Sequence, residues 1–146
     1  MGSDVELALA VRALVIATER YRARQARAAL GISPTEMTAL ATLHADGPRT
    51  ISDLARILAM TPASATELAD RMERAGLIER GPHPTDRRKR LLHTRPEAAK
   101  VVSGMFEQMG RIVDPAADVS RPAVLAFLAA AADALRDAAD QDQTLA

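Results

Sequence analysis

The chain has 146 residues, 48% of them apolar and 26% charged, with a formal net charge of zero. That is one domain's worth of chain with enough apolar content for a core, and its neutrality excludes a uniformly basic, non-specific polyanion binder. The absence of cysteine removes disulfides, zinc–thiolate centres and thiol redox chemistry, and an aromatic content of 2% favours a helical core of Ala, Leu, Val and Met over a β-sandwich.

In chain order, residues 5–29 read as one long helix. Leu7, Val11, Leu14 and Tyr21 share a face, while Val5, Leu9, Val15 and Ile16 widen the apolar surface beyond one stripe. Gly31 suits its C-terminal cap. Ser33-Pro34-Thr35-Glu36 predicts a second start: a capping serine, proline at the first helical position and glutamate closing a capping box. Asp46-Gly47-Pro48 ends that helix. Ile51, Leu54, Ala55 and Leu58 predict a short third helix capped by Thr50 or Ser52. Thr61-Pro62 starts a fourth with Ala65, Leu68, Ala69 and Met72 facing inward, and Gly76 stops it.

Leu77 to Arg80 and Leu91 to His93 are strand-like runs around a turn-rich segment, Gly81 to Asp86, and predict a β-hairpin with a long exposed tip. Thr94-Arg95-Pro96-Glu97 reads as a third capping box. The helix after it carries Ala98, Val102, Met105, Met109 and Ile112, and Asp114-Pro115 breaks it. A last helix from about Arg121 carries Leu125, Leu128, Ala132, Leu135 and Ala139, with a frayed polar tail from Asp140. The two heptad-spaced helices suit helix-on-helix packing, within or between subunits.

The fold class expected is therefore mainly α with a small β-hairpin wing: a winged helix-turn-helix plus further helices suited to packing on one another, within or between subunits. Two short helices joined by a tight turn form a helix-turn-helix, whose second helix enters the major groove only if its exposed side is slim and polar. Thr61, Pro62, Ala63, Ser64, Thr66, Glu67 and Arg71 are the candidate DNA-contacting residues there. The hydroxyls of Thr61, Ser64 and Thr66 are donors for phosphates or base edges, and Arg71 suits a bidentate guanine contact or a phosphate clamp. Glu67 and Asp70 oppose a phosphate; Arg71 and Arg74, each four residues on, are expected to neutralise them. From Arg80 to Arg95 there are six basic residues and one acid. Asp86, Arg87, Arg88, Lys89 and Arg90 at the hairpin tip are the candidate wing contacts, four cations that repel one another without an anion.

These residues carry a resemblance. Leu54-Ala55, the run Met60 to Thr66, the run Leu68 to Arg80 and above all Pro84-Thr85-Asp86-Arg87-Arg88 resemble the winged helix-turn-helix of the MarR (multiple-antibiotic-resistance regulator) family. The resemblance implies one domain over residues 1–146, with about 33–95 as the DNA-binding part and about 5–30 and 96–140 as the dimerisation part. It implies a homodimer closed by the first and the last two helices, which makes Leu7, Val11, Leu14, Leu125, Leu128 and Leu135 the candidate dimerisation residues. It also implies that Asp86 and Arg88 pair to brace the wing, with Arg88 reaching the minor groove, and that a small, often phenolic or lipophilic, ligand releases the DNA. Ala59 stands where the family usually has a turn glycine, and Glu67 where a basic or small residue is usual.

The function expected is a DNA-binding transcriptional regulator, a repressor released from a pseudo-palindromic operator by a small-molecule effector. The alternative is a winged-helix protein-interaction module that no longer binds double-stranded DNA, supported by Glu67, Asp70 and the zero net charge. His44, His83 and His93 lack paired metal-ligand spacing, and no catalytic triad, P-loop or dinucleotide loop is present, so no enzyme, metal or cofactor is expected. The longest apolar run, Val124 to Ala132, is too short to span a membrane, and the N-terminal residues lack a signal's positive region, so a cytoplasmic location is expected.

Overall fold

The computed structural model describes residues 2–114 and 120–144. They form α1 (Ser3–Leu30), α2 (Pro34–Asp46), α3 (Ile51–Ile57), α4 (Pro62–Arg74), β1 (Ile78–Pro82), β2 (Arg90–Thr94), α5 (Pro96–Val113) and α6 (Arg121–Thr144). The mainly helical architecture with one antiparallel hairpin is the expected one. Residues up to Met105 make one compact unit and those from Phe106 a second.

Local chemistry sets the boundaries. Gly31, at φ 64°, turns the end of α1: its N–H donates to the Arg27 carbonyl, and the Ile32 N–H donates to that of Ala26. The bond from Gly31 to Arg27 is the closure of an αL cap, which a left-handed residue makes possible. At α2 the capping box is complete, with the Glu36 N–H donating to Ser33 Oγ at 3.2 Å and the Ser33 N–H to Glu36 Oε2 at 2.9 Å. At α3 the cap is Thr50, and Asp53 closes a capping box the sequence reading did not see. The Thr50 hydroxyl, donating to Asp53 Oδ2 at 2.7 Å, is the main reason this carboxyl is held below its ordinary value.

The core of the first unit is built by α2, α3, α4, the strands and the start of α5. Leu40, Leu54, Leu68, Met72, Ile78, Leu92 and Val102 are fully buried, and no polar residue among those described is. Burying side chains of this kind stabilises by roughly 1.5–3 kcal/mol each. α1 buries only Ala26. Its N-terminal half leaves Val5, Leu7, Leu9, Leu14 and Val15 about half exposed. In the second unit Leu125, Phe127, Leu128 and Leu135 of α6 are likewise exposed.

Three boundaries differ from expectation. β1 runs on through Gly81 to Pro82, in the register Gly81 with Leu91 and Pro82 with Arg90. Proline is tolerated there because it ends an edge strand, where the ladder does not need its N–H. Thr94 closes β2 instead of capping α5: its buried hydroxyl has no partner among the described residues, so the third capping box does not form. α6 continues past Asp140 to Thr144. α5 ends at Val113 as expected, while Pro115, its expected breaker, lies outside the described residues. A further pairing has no signal in the sequence. Arg49 exchanges two backbone hydrogen bonds with Leu92, giving β2 a one-residue neighbour on the side away from β1.

Candidate nucleic-acid interface

α3 and α4 are joined by the turn from Leu58 to Thr61, where Ala59 takes a left-handed φ of 50°. The Met60 N–H closes the turn on the Ala55 carbonyl at 2.9 Å. Thr61 then caps α4, its Oγ1 accepting from the Ser64 N–H at 3.1 Å, with Pro62 preset for the first helical position. Ala65, Leu68, Ala69 and Met72 are buried, so Thr61, Pro62, Ala63, Ser64, Thr66, Glu67 and Arg71 all lie on the exposed side. The candidate residues of this helix therefore share one solvent-facing surface.

Its hydrogen-bonding capacity is narrower than the sequence suggests. The Thr61 hydroxyl donates to Ser64 Oγ at 2.9 Å, and that of Thr66 to the Pro62 carbonyl at 2.9 Å. Both protons are spent within the helix, which leaves these oxygens as acceptors and Ser64 as the hydroxyl with a proton to offer.

The charges are paired differently from the expected i,i+4 pattern. Arg71 turns away from Glu67 and reaches Glu36 on α2, Nε to Oε1 at 3.4 Å. Arg74 donates to the carbonyl oxygen of Asp70 at 3.2 Å, not to its carboxylate. The partner of Asp70 is Arg80 of β1, at 2.5 Å, and the other arm of the same guanidinium holds Glu73. The fold brings these longer-range partners within reach, and the Arg80 fork satisfies two carboxylates that a single i,i+4 contact would not. Hydrogen bonding by Asp70 leads the causes that raise Arg80 above its ordinary pKa, against the opposing effect of burial. Glu67 remains exposed and has no ion pair among the described residues.

At the other side of the hairpin the tip is organised by two residues. His83 Nδ1 accepts the backbone N–H of Thr85 at 3.3 Å and of Asp86 at 3.2 Å. Asp86 Oδ1 accepts the Arg88 N–H at 3.0 Å, and the Asp86 carbonyl accepts the Lys89 N–H at 3.0 Å. Asp86 thus pairs with Arg88 across the tip, through the Arg88 backbone N–H and with no ion pair to its guanidinium among the described residues. Arg87, Arg88, Lys89 and Arg90 are all exposed, and none forms an ion pair among the described residues. Of the six basic residues in this stretch, Arg80 is consumed by α4 and Arg95 lies 3.8 Å from Glu79, so the available charge is concentrated at the tip.

Sequence reasoning missed Arg80 as a partner of α4, Glu36 as the partner of Arg71, and His83 as the organiser of the tip. Only His83 had a local signal, a side chain placed two and three residues before the N–H groups it accepts.

Residues 32–89 match the sequence profile of the MarR family. The chain is 31% identical over 81 residues to the HTH-type transcriptional regulator YcgE of Bacillus subtilis, covering 56% of this chain and 53% of that protein. It thus spans about half the length of this curated relative. Among solved structures it is similar to RV1404 of Mycobacterium tuberculosis, with a TM-score of 0.68 and 27% identity over 92% of this chain and 95% of that one. FabT of Streptococcus pneumoniae, solved in complex with DNA, shares the fold at a TM-score of 0.70 and 18% identity, over 94% of this chain and 99% of that one. Family profile, relatives, and a helix-turn-helix followed by a basic hairpin agree: over residues 32–89 the chain is similar to the MarR family.

Proposed function

We propose that the chain is a DNA-binding transcriptional regulator: a homodimeric repressor that leaves a pseudo-palindromic operator when a small-molecule ligand binds. The observation that carries this reading is the wing. Four exposed cations without ion-pair partners among the described residues stand on a hairpin whose first strand is clamped to the exposed side of α4. That combination suits a backbone-tracking wing beside a helix in the major groove, with Arg88 in the minor groove. Relatives named as HTH-type transcriptional regulators, and the DNA complex of FabT, support it.

In this reading residues of about 33–95 bind DNA, and about 5–30 and 96–140 form the dimer. The exposed Leu7 and Leu14 of α1, with the half-buried Val11, and the exposed Leu125, Leu128 and Leu135 of α6 are apolar surface that a partner subunit would cover. Two recognition helices then sit roughly 34 Å apart, one turn of the duplex. A ligand acts by favouring a dimer in which that spacing is wrong.

One observation favours a second reading, a protein-interaction module on the same fold: Glu67 presents a carboxylate with no ion pair among the described residues on the outer face of α4. Titrating the duplex that flanks the chain's own gene with the purified protein, across a salt series, separates the two. Salt-sensitive binding at sub-micromolar dimer is expected. No salt-dependent binding at micromolar dimer overturns the DNA reading in favour of the module.

A further inference from the structure

α4 carries three carboxylates, Glu67, Asp70 and Glu73, against two guanidiniums, Arg71 and Arg74. Alone, a helix meant to lie against phosphates would be net negative. At 100° per residue, Asp70 and Glu73 lie on one flank of its exposed side and Arg71 on the other, with Glu67 and Arg74 between them. Each flank is met from outside the helix, the first by Arg80 of β1 and the second by Glu36 of α2.

Arg80 is unlike the wing cations. Its side chain is 24% exposed, and its two terminal nitrogens are divided between Asp70 and Glu73. No other ion pair among those described joins two carboxylates of α4 to one cation, and Arg74, the near alternative, spends its Nε on a backbone carbonyl. We infer that Arg80 is a positioning residue for DNA binding that acts through Asp70 and Glu73: it cancels the two carboxylates that would otherwise repel the phosphates beside the recognition helix. This rests on the DNA-binding reading above. The guanidinium itself needs no contact with the duplex.

The test uses the full chain and the duplex flanking its own gene, with affinity read by fluorescence anisotropy and folding by thermal melting. Arg80→Gln is expected to weaken binding on the order of tenfold, the size of two uncompensated charges a few ångströms from phosphates in a screened, high-dielectric surface. Adding Asp70→Asn and Glu73→Gln to it is expected to restore affinity to within about threefold of the wild type, because the repulsion has been removed with its antidote. Asp70→Asn with Glu73→Gln on the wild-type background is expected to bind at least as tightly as the wild type, and this outcome does not depend on whether Arg80→Gln folds. A triple variant as weak as Arg80→Gln, or a double variant weaker than the wild type, overturns the inference. The first of these also reassigns Arg80 as a direct phosphate contact or a plain brace, told apart by whether the melting midpoint falls. Absent binding by the wild type instead overturns the DNA-binding reading, so the two failures are distinguishable.

Discussion

Ala59 occupies a left-handed backbone position, φ 50°, that fixes how α3 hands over to α4. An L-residue there costs roughly 1–2 kcal/mol, while glycine's extra freedom in the unfolded chain costs roughly 0.4–1 kcal/mol. Ala59→Gly is therefore expected to raise stability by about 0.5 kcal/mol with the turn unchanged. A lower melting midpoint would contradict the strain argument. Glu36 makes a second residue-scale case. Its carboxyl lies below its ordinary 4.5, first because it accepts the Ser33 N–H, with Arg71 adding to the effect and burial opposing it. A depressed folded-state value means the unfolded chain binds the proton more readily, so the stabilisation is present above about 4.5 and fades as pH falls through the lower folded value. Glu36→Gln keeps the capping geometry but not the charge. Its melting midpoint is expected to lie below the wild type's at neutral pH and to converge with it under acid. Parallel curves down to low pH would mean the charge contributes nothing.

At the scale of elements, α4 and the hairpin divide the work. α4 supplies a slim surface whose hydroxyl protons are largely committed to the helix itself. The hairpin supplies the charge, held in shape by His83 and Asp86 through the backbone and not by side-chain pairing. Because the Arg88 side chain is exposed and forms no ion pair among the described residues, in the DNA-binding reading its removal takes away a contact without breaking a fold interaction. Arg88→Ala is expected to weaken binding to all duplexes alike and to lower the slope of log affinity against log salt by about one. An unchanged slope would remove the wing from the interface.

At the scale of the whole molecule, the apolar surface is unevenly spent. The first unit buries a continuous core, while α6 shows Leu125 at 61% and Leu135 at 64% exposure, beyond what scattered surface leucines explain. In the dimer reading this surface is an interface, so Leu125→Asp with Leu128→Asp is expected to give a folded monomer by sedimentation and to lose operator binding. A wild type that sediments as a monomer at its binding concentration would count against that use of α6.

The sequence alone determined the features whose partners lie within a few residues. Ser33 with Glu36, Thr61 with Pro62, Gly31 and Gly76 each placed a helix end where the structure has it. Caps satisfy the free N–H and C=O groups of one turn, so their chemistry is written in adjacent positions. The inward faces of α3 and α4 were legible for the same reason, since helical periodicity is local. What only the tertiary structure decided are the pairings across elements: Glu36 with Arg71, 35 residues apart, Arg80 with Asp70 and Glu73, and Arg49 with Leu92. Thr94 belongs to the same group, since pairing with Ile78 took it into the sheet and away from the cap its neighbours suggested. The residue types on α4 announced a conflict of charge, and Arg80 of β1 and Glu36 of α2 decided which of its charges are paired and which remain exposed.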